Sequence, residues 1–196
     1  MSNRRATIER KTKETAISLT LDLDGEGRYA IQTGIGFFDH LLTHLAFQGC
    51  FDLEIKAEGD LEVDAHHTVE DVGVVFGQAL TAALGERKGI SRYGSAVLPM
   101  DDALVLVAVD LSGRPYLNFD LPLGGGKIGS QFEAELGQEF FAAVSRAGIT
   151  IHLQRLAGEN RHHLLEAAFK AAGRALRAAV ALDPRQKGLP STKGAF

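Results

Sequence analysis

From Ile17 to Leu23, apolar Ile17, Leu19, Leu21 and Leu23 alternate with Ser18, Thr20 and Asp22, which predicts a half-buried strand ending at the turn Asp24-Gly25. A second apolar segment, Leu104 to Leu111, closes with Val109-Asp110-Leu111-Ser112-Gly113 and parallels Leu21-Asp22-Leu23-Asp24-Gly25 at an offset of 88. Short extended stretches follow near Arg28-Tyr29 and Arg114-Pro115-Tyr116, and hairpins are the simplest reading. The pattern next predicts helices from about Phe37 to Gln48 and from about Phe132 to Ala147, each stopped by a glycine, Gly49 and Gly148, suited to a left-handed cap. Strands come next near Phe51 to Ala57 and Ile149 to Leu156. A further helix closes each half: Val69, Val72, Phe76 and Leu80 make one apolar stripe, and Leu165, Ala168, Ala172 and Leu176 the other. Each half reads β-β-α-β-α, and the whole reads as an α+β tandem repeat with antiparallel sheets covered by helices. The first half is residues 1–90 and the second 91–196. About 90 residues bury little core alone, so the halves are expected to share an interface and form one compact unit.

The closing helices also repeat their chemistry. His66-His67-Thr68-Val69-Glu70 returns as His162-His163-Leu164-Leu165-Glu166, 96 positions on, and Gly77, Ala79, Leu80, Ala82 and Ala83 return on the same offset as Gly173, Ala175, Leu176, Ala178 and Ala179. A single His-His pair is ordinarily a satisfied surface feature at a helix start. Repetition with a Glu at the same helical phase points instead to metal ligands, because residues three and four apart share a helix face. Two equivalent metal sites follow.

Composition narrows the ligand chemistry. The chain has 196 residues, 45% of them hydrophobic, as in an ordinary globular protein. Its single cysteine, Cys50, excludes an internal disulfide framework and most thiolate metal sites, which favours a reducing cytoplasm and leaves imidazole and carboxylate as donors. No apolar run has the length of a membrane span, and Met1 to Lys13 is basic without a signal peptide's apolar core. A formal net charge of -4 offers no footprint for nucleic acid. Gly124-Gly125-Gly126-Lys127 suggests a phosphate loop, yet Ile128 stands where that motif needs Ser or Thr, so a flexible loop is expected.

The seven histidines are His40, His44, His66, His67, His152, His162 and His163. Three imidazoles and a carboxylate suit zinc, manganese or iron, and the absence of cysteine argues for a catalytic site. Six histidines and two glutamates make two such sites, with His44 read as a helix-surface residue or one behind the ligands. Arg92, Arg114 and the tail Pro190-Ser191-Thr192-Lys193-Gly194 supply groups that grip a phosphate dianion. Glu14, at the start of the first strand, maps onto Asp102 at the 88-residue offset. A carboxylate repeated at the mouths of related strands is a candidate acid or base.

Together these residues resemble the imidazoleglycerol-phosphate dehydratase family of histidine biosynthesis. The resemblance rests on Arg10-Lys11-Thr12-Lys13-Glu14-Thr15, Gly34 to Leu42, His66 to Asp71, Gly85-Glu86-Arg87-Lys88-Gly89-Ile90, Asp110 to Tyr116, Leu156 to Glu166 and Leu189 to Gly194, in order over nearly the whole chain. It implies a ribosomal protein S5 domain 2-like fold, two manganese ions per active site, and a homo-24-mer with sites completed at subunit interfaces. It also implies that His40, His66, His67, Glu70, His152, His162, His163 and Glu166 hold the metals, with Glu70 and Glu166 counted in the catalytic set. Glu14 then moves a proton and touches substrate, while Arg92, Arg114, Ser191 and Lys193 grip its phosphate. The implied reaction dehydrates D-erythro-imidazole-glycerol phosphate to imidazole-acetol phosphate. That chemistry explains paired metals, because two ions can hold the two ring nitrogens as an imidazolate, which helps expel the neighbouring hydroxyl.

Two rival readings are weaker. Asp22-Leu23-Asp24-Gly25 resembles the nucleophile loop of haloacid-dehalogenase-type phosphatases, but its strand alternates instead of being apolar on both faces, and Glu26 replaces the usual Thr or Val. A manganese-storage shell would use the His and Glu residues but has no need of Ser191 or Lys193.

Overall fold

The computed structural model describes residues 4–194. The period-two segment is strand β2 (Thr15–Asp22), which buries Ile17, Leu19 and Leu21. Beside it run β1 (Arg5–Lys11) and β4 (Asp52–Gly59), both antiparallel to β2. The short β3 (Tyr29–Gln32) lies parallel to β4 at the outer edge, giving the order β1-β2-β4-β3. The second half repeats this with β5 (Tyr93–Met100), β6 (Ala103–Asp110), β10 (Thr150–Ala157) and β7 (Tyr116–Asp120), ordered β5-β6-β10-β7.

The α+β architecture of two similar, largely antiparallel halves is therefore present, with one more strand at the start of each half than the pattern predicts. Strands β1 and β5 escape notice because each shows a face of partial burial and no fully buried position. The expected hairpins shift accordingly. Since β2 already has β1 and β4 as neighbours, β3 pairs with β4, and the true hairpins are β1–β2 and β5–β6.

Four helices cover the sheets: α1 (Gly36–Gly49), α2 (His66–Leu84), α3 (Leu136–Ser145) and α4 (Arg161–Val180). Helix α3 is shorter than its predicted span, because Phe132–Glu133 form β9 and pair with β8 (Lys127–Ile128). The glycine run thus leads into a small ribbon, with Gly124 and Gly126 at positive φ. At the end of α1 the left-handed residue is Cys50, φ 53°, not Gly49. Gly49 belongs to the helix, where the Phe51 ring packs so closely that a Cβ would approach it to 2.5 Å. Gly148, φ 83°, does take the left-handed conformation just past α3.

The halves meet helix to helix, α1 against α4 and α2 against α3. Gly77 and Gly173, equivalent at the 96-residue offset, permit both approaches. A Cβ on Gly77 would lie 2.9 Å from the Val144 carbonyl oxygen, and one on Gly173 would collide with that of Leu45. Phe140 sits at the centre of the shared core, its ring 5.5 Å from Phe38, 6.2 Å from Phe76 and 5.1 Å from Phe169. This seam brings α1 of the first half beside the start of α4 in the second. Among the described residues no helix is long and apolar enough to cross a membrane.

Candidate active site

Helix starts place the duplicated histidines. Asn160 caps α4, its side-chain oxygen accepting from the backbone N–H groups of His162, 3.0 Å, and His163, 3.3 Å. Asp64, its equivalent 96 positions earlier, accepts from the backbone of His66 at 2.7 Å. Each pair therefore occupies a first helical turn, with the Glu one turn further along.

Across the seam, His40 of α1 meets this turn of α4. His40 Nε2 lies 3.0 Å and His162 Nε2 3.2 Å from Glu166 Oε2. Donor atoms of His40, His162 and Glu166 all fall within 4.8 Å of one another, the one such group of three among the described residues. His44, one turn after His40, approaches Glu166 Oε1 to 3.4 Å and His40 Nε2 to 3.2 Å. It stands beside the group. Burial lowers the pKa of His44, which keeps a neutral ring there.

Glu166 is buried, which alone would raise its pKa, but bonds from Lys170 and His40 outweigh burial and hold it at about 2. Lys170 Nζ donates to Glu166 Oε1 at 2.5 Å. Sequence reasoning omitted Lys170, although its position four residues after Glu166 on one helix face was the available signal. Two imidazoles and an ionised carboxylate converging at a partly exposed seam fit a borderline divalent cation.

The remaining predicted ligands lie elsewhere on the chain. In α2, His67 Nδ1 donates to Asp60 at 3.0 Å, and its Nε2 stands 3.9 Å from Glu14 Oε1. Hydrogen bonding to Asp60 raises the pKa of His67 more than burial lowers it. His66 lines a surface recess with Asp64, Lys127, Gln131 and Glu133. Glu70 accepts from Arg146 at 2.6 Å. In the second half, His163 Nδ1 donates to Asp102 at 2.6 Å, and its Nε2 lies 3.6 Å from Asp101 Oδ2. His152, on β10, is exposed with its ring 5.4 Å from Tyr116. None of these joins the His40–His162–Glu166 group within one chain.

The phosphate-type groups converge more closely. Arg92 and Arg114 share Asp110, at 2.7 Å and 3.5 Å. Arg92 also donates to the Pro190 carbonyl at 2.8 Å, which fastens the tail beside it. Arg92, Ser191 and Thr192 line one surface recess. Lys193 is exposed, and its backbone N–H donates to Ser191 Oγ at 3.3 Å. The rival nucleophile loop finds no support, since the strand that leads into it, β2, is fully buried on one face only.

Fold and site define a two-half α+β protein with an imidazole-carboxylate group of the kind that holds a divalent metal, and separately a surface recess lined by Arg92, Ser191 and Thr192. The imidazoleglycerol-phosphate dehydratase family profile matches residues 33–176, and the chain belongs to that family. It is 60% identical over 193 residues to the imidazoleglycerol-phosphate dehydratase of Moorella thermoacetica, covering 98% of each chain. To that of Acetivibrio thermocellus it is 58% identical over 193 residues, again covering 98% of each. The solved structure of the Pyrococcus furiosus enzyme in complex with (S)-C348 superposes with TM-score 0.83 at 42% identity, covering 96% of this chain and 100% of that one. The Staphylococcus aureus N315 enzyme superposes with TM-score 0.82 at 39% identity, covering 91% and 99%.

Proposed function

We propose that the protein dehydrates D-erythro-imidazole-glycerol phosphate to imidazole-acetol phosphate in the cytoplasmic synthesis of histidine, as a lyase using two manganese ions per active site. The observation that carries this reading is the meeting of His40, from one half, with His162 and Glu166, from the other, in a chain of this family. His40, His66, His67, Glu70, His152, His162, His163 and Glu166 are the proposed metal ligands. When bound, the metals would supply the positive charge that holds the substrate ring as an imidazolate and eases loss of the adjacent hydroxyl.

The chain's own groups do the rest. Lys170 and His40 keep the buried Glu166 ionised, so it offers an anionic oxygen to the group. Glu14 is exposed, and its carboxylate faces His67 Nε2 from the β1–β2 turn. It is proposed to take the proton from the carbon next to the one that loses hydroxide, so that water departs overall and the enol formed ketonises. Arg92, Arg114, Ser191 and Lys193 hold the phosphate and fix the reacting carbons relative to Glu14. The duplicated ligands stand apart within one chain, which supports sites completed between subunits of a 24-mer.

Glu14→Gln tests the assignment. The isosteric amide keeps the shape but accepts no proton, so turnover should fall by about 100-fold or more while manganese content and substrate binding persist. Near-normal turnover would remove Glu14 from the reaction.

A further inference from the structure

His67 and His163 are equivalent at the 96-residue offset, and each gives its Nδ1 to a carboxylate, but the two carboxylates are not equivalent. Asp60 directly follows β4, in the loop that leads to α2 of its own half. Asp102 lies in the β5–β6 turn, the counterpart of the β1–β2 turn that carries Glu14. Equivalent turns thus send carboxylates to equivalent histidines, and these reach opposite ring nitrogens. Asp102 takes Nδ1 of His163, whereas Glu14 stands 3.9 Å from Nε2 of His67.

We propose that Asp60 and Asp102 are positioning residues which orient His67 and His163 and fix the Nδ1–H tautomer, so that Nε2 of each ring is presented as the metal donor. A neutral imidazole with its proton held at Nδ1 has its lone pair on Nε2, and a carboxylate behind the ring also makes that nitrogen a stronger donor. The commitment of Asp102 is visible in its other bonds. The oxygen that does not meet His163 accepts the backbone N–H groups of Glu159, 3.0 Å, and Asn160, 3.2 Å. A carboxylate with three donors on it is held in place and poorly suited to shuttling a proton. Asp60 performs the bracing in the first half, which leaves Glu14, on the Nε2 side, uncommitted. The repeat has therefore divided two duties between its turns: bracing in one, proton transfer in the other.

This inference rests on the metal-ligand roles proposed above, and its test separates the two. Manganese affinity is measured by competition against a chelating dye for the full-length protein and for Asp60→Ala, Asp102→Ala, Asp102→Asn and Glu14→Ala. Asp60→Ala and Asp102→Ala should each weaken manganese binding about 10- to 100-fold. Asp102→Asn, which keeps one neutral acceptor oxygen but no charge behind the ring, should recover only part of that loss. Glu14→Ala should bind manganese like the wild type. Among the described residues the Asp60 carboxylate bonds to His67 alone, so Asp60→Ala probes bracing without removing a cap. Wild-type affinity in both alanine variants, or equal losses in Glu14→Ala and Asp102→Ala, would overturn the inference alone. Failure of the wild type to bind manganese would overturn the ligand roles beneath it.

Discussion

Glu166 shows how burial and ionisation are reconciled at a single residue. Burial disfavours its charge, yet Lys170 and His40 reverse that preference and hold the pKa at about 2, below the ordinary 4.5. A carboxyl with a depressed folded-state pKa contributes stability that is complete above its unfolded value and lost as pH falls through the folded one. In metal-free protein, the stability difference between wild type and Glu166→Gln should therefore be largest above about pH 5 and shrink towards pH 2, measured by urea unfolding. The same substitution removes an anionic donor, so it should weaken manganese binding by more than the roughly 10- to 100-fold attached to loss of a partner behind a ligand. Retention of full metal content in Glu166→Gln would exclude Glu166 as a ligand. The repeated His-His-x-x-Glu phrase made this residue legible in the chain, because helical phase alone sets Glu beside the histidines. The approach of His40, 126 residues away, was not legible without family resemblance, since no local pattern encodes which helix crosses α4. Lys170 carries no motif of its own, and only its place one turn after Glu166 on the same helix face marks it.

At the scale of elements, the shared glycines and phenylalanines decide how the halves join. Alanine is favoured over glycine inside a helix by about 1 kcal/mol, so Gly77→Ala would stabilise α2 if the helix stood alone. Here the new methyl would lie 2.9 Å from a carbonyl of α3, and backbone cannot swing away as a side-chain tip can. Overpacking of this kind costs about 1–3 kcal/mol, so Gly77→Ala should be net destabilising, and Gly173→Ala more so. Phe140→Ala should cost about 3–5 kcal/mol, because it empties the point where both halves meet. Urea unfolding of metal-free protein reads all three, and a stabilised Gly77→Ala would show that α2 and α3 have room to separate. The apolar stripes of α2 and α4 predicted these helices well: Val69, Val72, Phe76, Leu80, Leu165 and Ala168 are all fully buried. Strand pairing was harder to read. Alternation identifies which residues face the core, but nothing in it tells β3 to pair in parallel with β4 instead of folding back on β2.

At the scale of the whole molecule, the proposed ligands fall into sets that do not meet among the described residues of one chain. Large apolar side chains stay exposed at Tyr29, Phe47, Val63, Tyr93, Val97, Tyr116, Leu156 and Leu182, and any of them that falls within a subunit contact would add apolar burial to it. His66, His67 and Glu70 remain apart from His40, His162 and Glu166, so a metal held by members of both sets, as proposed, would bridge subunits. Such a metal binds the assembly and not the separated chain, and it stabilises the assembly by mass action, by about 2.7 kcal/mol when its free concentration is 100 times the dissociation constant. Removing manganese with a chelator should therefore shrink the particle seen in sedimentation, and restoring manganese should rebuild it. Glu70→Gln should mimic chelation, since it weakens one side of the bridge while leaving the apolar contacts in place. A particle of unchanged size after complete metal removal would mean that the apolar surfaces alone hold the subunits, and that the metals are seated in an assembly already formed.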